Sequence, residues 1–171
     1  MHIIFPKLEK YQRLILKKMD RKNEYHLHGY AWFKTYVESI KQLVFWHNEL
    51  ESPSELDTLI YEVGINEYVS DLRDGISMSQ TEKFRLDDIG FQKFDLIRDF
   101  KVYDYNDKKR KIAKLLSQGQ KASFGYKDES LKIIQEQFQK FTEEEIKPQA
   151  HEWHLKNDLI PDEVLDKMND M

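Results

Sequence analysis

The sequence predicts an all-α fold: a helical, bundle-like N-terminal region followed by a shorter helix pair. Three observations carry this. Glycine and proline are scarce, at 6 and 4 of 171 residues, where an all-β fold would need many turns. Apolar residues recur at helical rather than alternating spacing through most of the chain. Capping signals and prolines stand at the starts of those apolar-periodic runs.

Pro6 fits the first turn of a helix, where its missing N–H costs nothing. Leu8, Tyr11, Ile15 and Met19 then keep helical spacing, so a helix is predicted to about His28, with Gly29 as a break or a point of close approach. The next stretch, YAWFKTYVESIKQLVFWHNEL, is the most helical. Ala31 or Trp32, Tyr36, Ile40, Leu43 and Trp46 or His47 fall on one stripe, with Lys34, Glu38, Lys41 and Asn48 mostly opposite. Ser52 is placed to cap a third helix, with Pro53 in its first turn and Glu55 at capping-box spacing. Leu56, Leu59 or Ile60, Val63, Tyr68 and Leu72 continue that helix. Gly64 inside it costs about 1 kcal/mol relative to alanine, which is explained if another helix approaches closely there.

DGISMSQTEKFRLDDIG reads as a turn and a short helix between Gly75 and Gly90. FQKFDLIRDFKVYDYN reads as helix or irregular chain. Asn106 or Asp107 is placed to cap a helix through Leu116 that ends near Gly119. SQGQKASFGYKDES, with two glycines and small polar residues, reads as a linker. Asp128 caps the following helix, whose stripe is Leu131, Ile134, Phe138, Phe141 and Ile146. Pro148 predicts a kink or restart. Pro161 opens the last helix, with Val164, Leu165 and Met168 inward. The predicted organisation is an extension over residues 1–118, a linker over 119–130 and a second helical unit over 131–171.

Composition narrows the function classes. There is no cysteine, which removes disulfides, thiol nucleophiles and thiolate metal sites and points to a reducing cytoplasm. The net charge of -4 offers no surplus to neutralise phosphates, so nucleic acid is not an expected partner. The basic run Lys108 to Lys111 reads as a solvated helix face. No apolar run approaches the roughly 20 residues of a membrane span, and the opening apolar run is too short for a signal peptide.

No chemical motif assembles. His151 and His154, flanking Trp153, share a helix face, but the zinc-protease pattern needs histidines four apart with a glutamate between. No histidine has a glutamate three residues before it, as di-iron bundles require. His26 and His28 fall on different faces. There is no GxSxG, GxGxxG or P-loop, and Ser77 and Ser79 read as turn or cap residues. Glu143 to Glu145 reads as a solvated face. Trp32, Phe33, Tyr36, Phe45 and Trp46 could line a ligand pocket, but core or subunit interface suits them better. No catalytic, cofactor-binding or metal-binding residue is assigned.

One further pattern stands out. FQKFTEEEIKPQAHEWHLKNDLIPDEVLDKM resembles the start of the catalytic body in the acyl-CoA dehydrogenase family. The match rests on Phe141, Ile146, Pro148, Ala150, Glu152, Trp153, Pro161, Leu165 and Met168. HGYAWFKTYVESIKQL and LIYEVGINEYVSDLRDGISMSQTEKFRLDDIG further resemble a member with an added N-terminal helical region. The resemblance implies a parent enzyme that binds FAD and an acyl-CoA, forms a homo-oligomer and passes electrons to an electron-transfer flavoprotein. It also implies that the catalytic glutamate and most flavin contacts belong to remaining dehydrogenase domains. This chain would be a front portion of that enzyme, with no cofactor expected for it alone. On this reading Pro148 and Pro161 shape a helix-turn-helix that Trp153 and Leu159 or Ile160 anchor. A standalone helical interaction module is the alternative.

Overall fold

The computed structural model describes residues 4–125 and 128–171. It divides into two compact units, Met1–Gly125 and Tyr126–Met171.

In the first unit α1 (Ile4–Lys18) buries Leu8, Tyr11 and Ile15, the predicted spacing. It ends ten residues before the predicted His28, because Asn23 starts a new helix. The Asn23 side chain accepts from the His26 N–H, satisfying a donor that the first turn leaves open. α2 (Glu24–Glu49) therefore contains Gly29 instead of stopping at it. A methyl group at Gly29 would lie 2.1 Å from Cδ2 of Phe84, so the glycine serves close approach. The buried stripe of α2 is Gly29, Phe33, Val37 and Ile40. It is rotated by one residue from the prediction: Ala31 is exposed, while Trp32 and Tyr36 are half-buried at its flank.

α3 (Glu55–Asp74) is capped by Ser54 with Asp57, two residues beyond the predicted Ser52 and Glu55 pair. Asp57 has the shorter side chain, and its Oδ2 reaches back to the Ser54 N–H at 2.8 Å. α3 runs antiparallel to α2. Leu43 occupies the space beside Gly64, the His47 ring stacks on Tyr61, and Tyr36 reaches Asp71. Gly64 thus admits a neighbouring helix, as its position predicts.

The segment expected as turn plus helix is a small antiparallel hairpin, β1 (Ile76–Ser77) and β2 (Lys83–Phe84), with Ile76 opposite Phe84. A 3-10 turn over Leu86–Ile89 follows, closed by Gly90 at φ 82°. α4 (Lys93–Asp99) and an irregular stretch lead to α5 (Asn106–Ser117). The main core joins α1, α2 and the end of α3 to the hairpin and to Leu86, Ile89, Phe91, Leu96 and Phe100. A smaller cluster joins Leu56 and Leu59 of α3 to Leu115 of α5. Three tyrosines at the core margin donate to carboxylates: Tyr11 to Asp99, Tyr25 to Asp88 and Tyr36 to Asp71. Burial and then these carboxylates push each phenol up to about 12, so they stay neutral donors.

In the second unit α6 (Glu129–Phe141) is capped by Asp128, whose Oδ1 accepts from the Ser130 N–H at 2.8 Å. It passes through a π-helical turn, Thr142–Ile146, into α7 (Lys147–Lys156). Pro148 lies in the first turn of α7. A proline ring clashes with the carbonyl four residues back, and the widened turn accommodates it. The restart is thus a π turn with the helix carried through. α7 ends at Asn157 in the left-handed region, φ 57°. α8 (Asp162–Asn169) buries Val164, whereas Leu165 and Met168, expected inward, are 39% and 41% exposed.

Candidate functional site

The histidine group does not assemble a metal site. His151 and His154 are both exposed on α7 and Trp153 between them is half-buried. Among the described residues no group of three or more histidine or acidic side chains is placed to hold an ion. Glu152, between the histidines, is drawn the other way along the helix, accepting from Lys156 Nζ at 2.6 Å. Of the expected anchors Trp153 is half-buried, but Leu159 is 90% exposed and Ile160 is exposed beside it.

The aromatic stripe divides. Phe33 is in the core, Trp32 and Tyr36 flank it, and Phe45 is exposed. The basic run is zipped onto α3. Lys108 pairs with Glu62 at 2.6 Å, Lys109 with Glu67 at 2.5 Å, and Lys111 with Glu55. Arg110 pairs with Asp107 within α5. These cations are matched by carboxylates, which leaves little field to attract a polyanion.

One cleft has defined walls. It runs between α3 and the irregular stretch after α4. Asn66 fixes its floor by donating from Nδ2 to the Tyr103 carbonyl and accepting at Oδ1 from the Tyr103 N–H, both at 2.9 Å. The amide thus pairs with one residue's backbone as a neighbouring strand would. Tyr103 and Tyr105 stack at 6.1 Å, and Lys108 Nζ sits 4.3 Å from the Tyr105 ring centre. Two adjoining hollows of about 390 and 470 Å³ share Asn66, Tyr103 and Tyr105. The larger has an apolar floor of Ile65, Val69 and Phe100 and a rim carrying Lys7, Asp99 and Lys101. Asn66 and the tyrosine pair escaped sequence reading, since only the fold brings residues 37 apart together. The smaller hollow also carries Glu67, Ser70, Asp71 and Lys109; Lys109 is paired with Glu67 at 2.5 Å and Asp71 accepts from the Tyr36 hydroxyl.

Among the described residues no glycine-rich pyrophosphate cradle of the Rossmann kind is formed, which would group glycines at the start of a helix. Here Gly29 and Gly64 lie inside helices against Phe84 and Leu43, and Gly75, Gly90, Gly119 and Gly125 each serve a separate turn.

The second unit is marked by its surface. On α6, Leu131, Ile134 and Phe138 follow helical spacing and are each about half exposed. Leu155 and Leu159 add to the exposed apolar area. An apolar stripe of this kind on a helix marks a contact face. Among the described residues no helix is long and apolar enough to cross a membrane.

No family model matches the chain. Among curated proteins it is similar to the (2S)-methylsuccinyl-CoA dehydrogenase of Cereibacter sphaeroides, with 32% identity over 168 residues. That match takes in 92% of this chain and 30% of that protein, so the chain spans under a third of its relative's length. The relative is an oxidoreductase. Along nearly all of its own length, the chain is a partial match to an acyl-CoA dehydrogenase.

Proposed function

We propose that this chain is the N-terminal portion of an FAD-dependent acyl-CoA dehydrogenase. In full length that enzyme would oxidise methylsuccinyl-CoA to mesaconyl-CoA in the ethylmalonyl-CoA pathway. The observation that carries the reading is the 32% identity to a methylsuccinyl-CoA dehydrogenase across 92% of the chain. Residues 1–118 then form a helical extension, 119–130 a connection, and 131–171 the opening helices of the dehydrogenase N-terminal helical domain. The exposed stripe of α6 supports it, because a further domain would cover such a face.

On this reading the chain contributes structure. The α-proton, the β-hydride and their acceptors are handled by the remaining dehydrogenase domains. Those domains hold FAD and the acyl-CoA, and electrons leave to an electron-transfer flavoprotein. The working enzyme is a cytoplasmic homo-oligomer. No residue of this chain is placed in the redox step.

The test is to purify from its source cells the protein that carries this sequence. Its absorbance reports bound flavin, and reduction of an artificial electron acceptor with methylsuccinyl-CoA reports activity. A yellow protein that forms mesaconyl-CoA is the expected result. A colourless protein, inert toward acyl-CoA thioesters, overturns the proposal. A standalone helical interaction module is the second reading, favoured by the closed core of the first unit. It requires the purified 171-residue chain to be a cooperatively folding monomer or dimer that binds no apolar dye.

A further inference from the structure

The first part of the stretch that composition marks as a linker, up to Gly125, belongs to the first unit and is bonded to its helices at Ser123. Asp57, in the first turn of α3, is 0% exposed. Its carboxylate accepts from the Ser123 N–H at Oδ1 (2.7 Å) and from the Ser123 hydroxyl at Oδ2 (2.7 Å). The same Oδ2 accepts from the Ser54 N–H and hydroxyl at 2.8 and 2.7 Å. One buried carboxylate thus closes the cap of α3 and holds a residue 66 positions later. Burial opposes its ionisation, but the donors from Ser123 and Ser54 outweigh burial and hold its acidity below the usual carboxylate range.

Trp46 of α2 makes the second hold. Its indole Nε1–H donates to the Ser123 carbonyl at 2.9 Å. Gly125, at φ 74°, lies so close to the indole that a methyl there would be 2.5 Å from Trp46 Cδ1. Ser123 therefore has its N–H, hydroxyl and carbonyl all bonded to the first unit. The near end is closed as well, where Gly119 N–H donates to the Leu116 carbonyl and Gln120 N–H to that of Leu115.

We propose that Asp57, Ser123 and Trp46 form a strap lock that clamps residues 118–125 onto the first unit and fixes where the chain leaves it. Charge-assisted bonds to a buried carboxylate are the strong kind. Losing one partner would leave buried groups unpaired, so the lock holds or opens as a set. The course of residues 118–125 is then governed by the lock and not by their glycine and serine content. Opening it would release the exit segment while leaving the helices of the first unit in place.

The experiment is limited trypsin digestion of the full chain, with mass spectrometry following cleavage after Lys121, inside the strap. The variant is Ser123→Ala combined with Trp46→Phe, which removes the hydroxyl and indole bonds and leaves the α3 cap intact. Cleavage after Lys121 is expected at least tenfold faster in the variant than in the wild type, with unchanged helical circular dichroism. Equal rates overturn the lock. Should the variant lose its helical signal, amide exchange in the wild type decides. Ser123 N–H exchange slowed at least a hundredfold relative to an unstructured peptide sustains the lock, and smaller protection overturns it.

Discussion

Replacing Gly29 by alanine sets two effects of opposite sign against each other. Alanine is favoured over glycine inside a helix by about 1 kcal/mol, so propensity alone makes Gly29→Ala stabilising. The structure says otherwise. The new methyl would stand 2.1 Å from Cδ2 of Phe84 and 2.4 Å from its Cγ, whereas carbon atoms rest about 3.5–4.0 Å apart. The ring would have to retreat by more than an ångström. It is 1% exposed, stands edge-on to Tyr25 at 5.7 Å, and is carried by the strand paired to Ile76. Overpacking a filled core costs about 1–3 kcal/mol, and a contact this short belongs at the upper end. The expected net effect is a loss of about 2 kcal/mol, the overpacking cost less the helical gain. Urea unfolding followed by far-UV circular dichroism measures it. The control is Phe84→Leu, which makes room. Alone it costs about 1–1.5 kcal/mol, and in the Gly29→Ala background its cost falls toward zero, a coupling of about 1 kcal/mol or more between touching sites. A Gly29→Ala protein as stable as the wild type, or a strictly additive double variant, would refute the close-packing argument.

Three other perturbations have expected outcomes. Asp57→Ala removes the carboxylate half of the α3 capping box and leaves the donors of Ser54 and Ser123 unpaired, for an expected loss of about 2–4 kcal/mol in urea unfolding at pH 7. Because the folded-state acidity of Asp57 is depressed, its stabilisation is complete above the unfolded value of about 4 and lost as pH falls through the folded one. Asp57→Asn should therefore lose less stability than the wild type between pH 5 and pH 2.5. The Lys108–Glu62 pair has both side chains about one-third exposed; a double-alanine cycle should give only a small favourable coupling, shrinking in 1 M salt. Ile134→Glu on α6 should change the chain's own stability by less than about 0.5 kcal/mol, as for an ordinary surface site. It should also lower apolar-dye binding and self-association, and an unchanged dye signal would remove α6 as a contact face.

Much of the helical content was legible because the relevant physics is local. Spacing of Leu8, Tyr11 and Ile15, the cap at Asp128 and the starts marked by Pro6 and Pro161 need only a few neighbouring residues, whereas Pro53, expected in the first turn of α3, falls just before its Ser54 cap. Errors fall where the deciding partner is distant or the element is short. Two-residue strands such as Ile76–Ser77 have no periodicity to detect. The break before Asn23 is masked by charged residues that suit a helix surface equally well. On α2 the aromatic residues crowd both sides of the stripe, so spacing alone sets its phase one residue off, and the contact of Gly29 with Phe84 of the hairpin decides it. The strap is the extreme case: Ser and Gly read as linker, while the partners of Ser123 lie 66 and 77 residues away. The candidate cleft was illegible for the same reason, since nothing near Asn66 in sequence announces Tyr103. The histidine pair shows the converse. Spacing states that two donors share a face, but a third donor is a long-range fact, and among the described residues no group of three forms.

The two units differ in what holds them, and that difference bears on function. The first buries apolar side chains from each of its first four helices and from the hairpin in a shared core. In the second, α6 and α7 have no buried residue and α8 has Val164. Ordering a residue costs roughly 1–2 kcal/mol of backbone entropy, and isolated helices shorter than about 12–15 residues are marginal in water. Pairs such as Lys147–Glu143 and Lys167–Glu145 contribute well under 1 kcal/mol each at an exposed surface. Apolar burial on the scale of about 25 cal/mol per Å² is what could offset that entropy, and the stripe of Leu131, Ile134 and Phe138 is the surface available for it. The likeness to a dehydrogenase extends across 92% of the chain, well beyond the first unit's closed core. A partner that covers α6 therefore accounts at once for the exposed stripe and the thin interior of the second unit, and the proposed dehydrogenase domains would be such a partner.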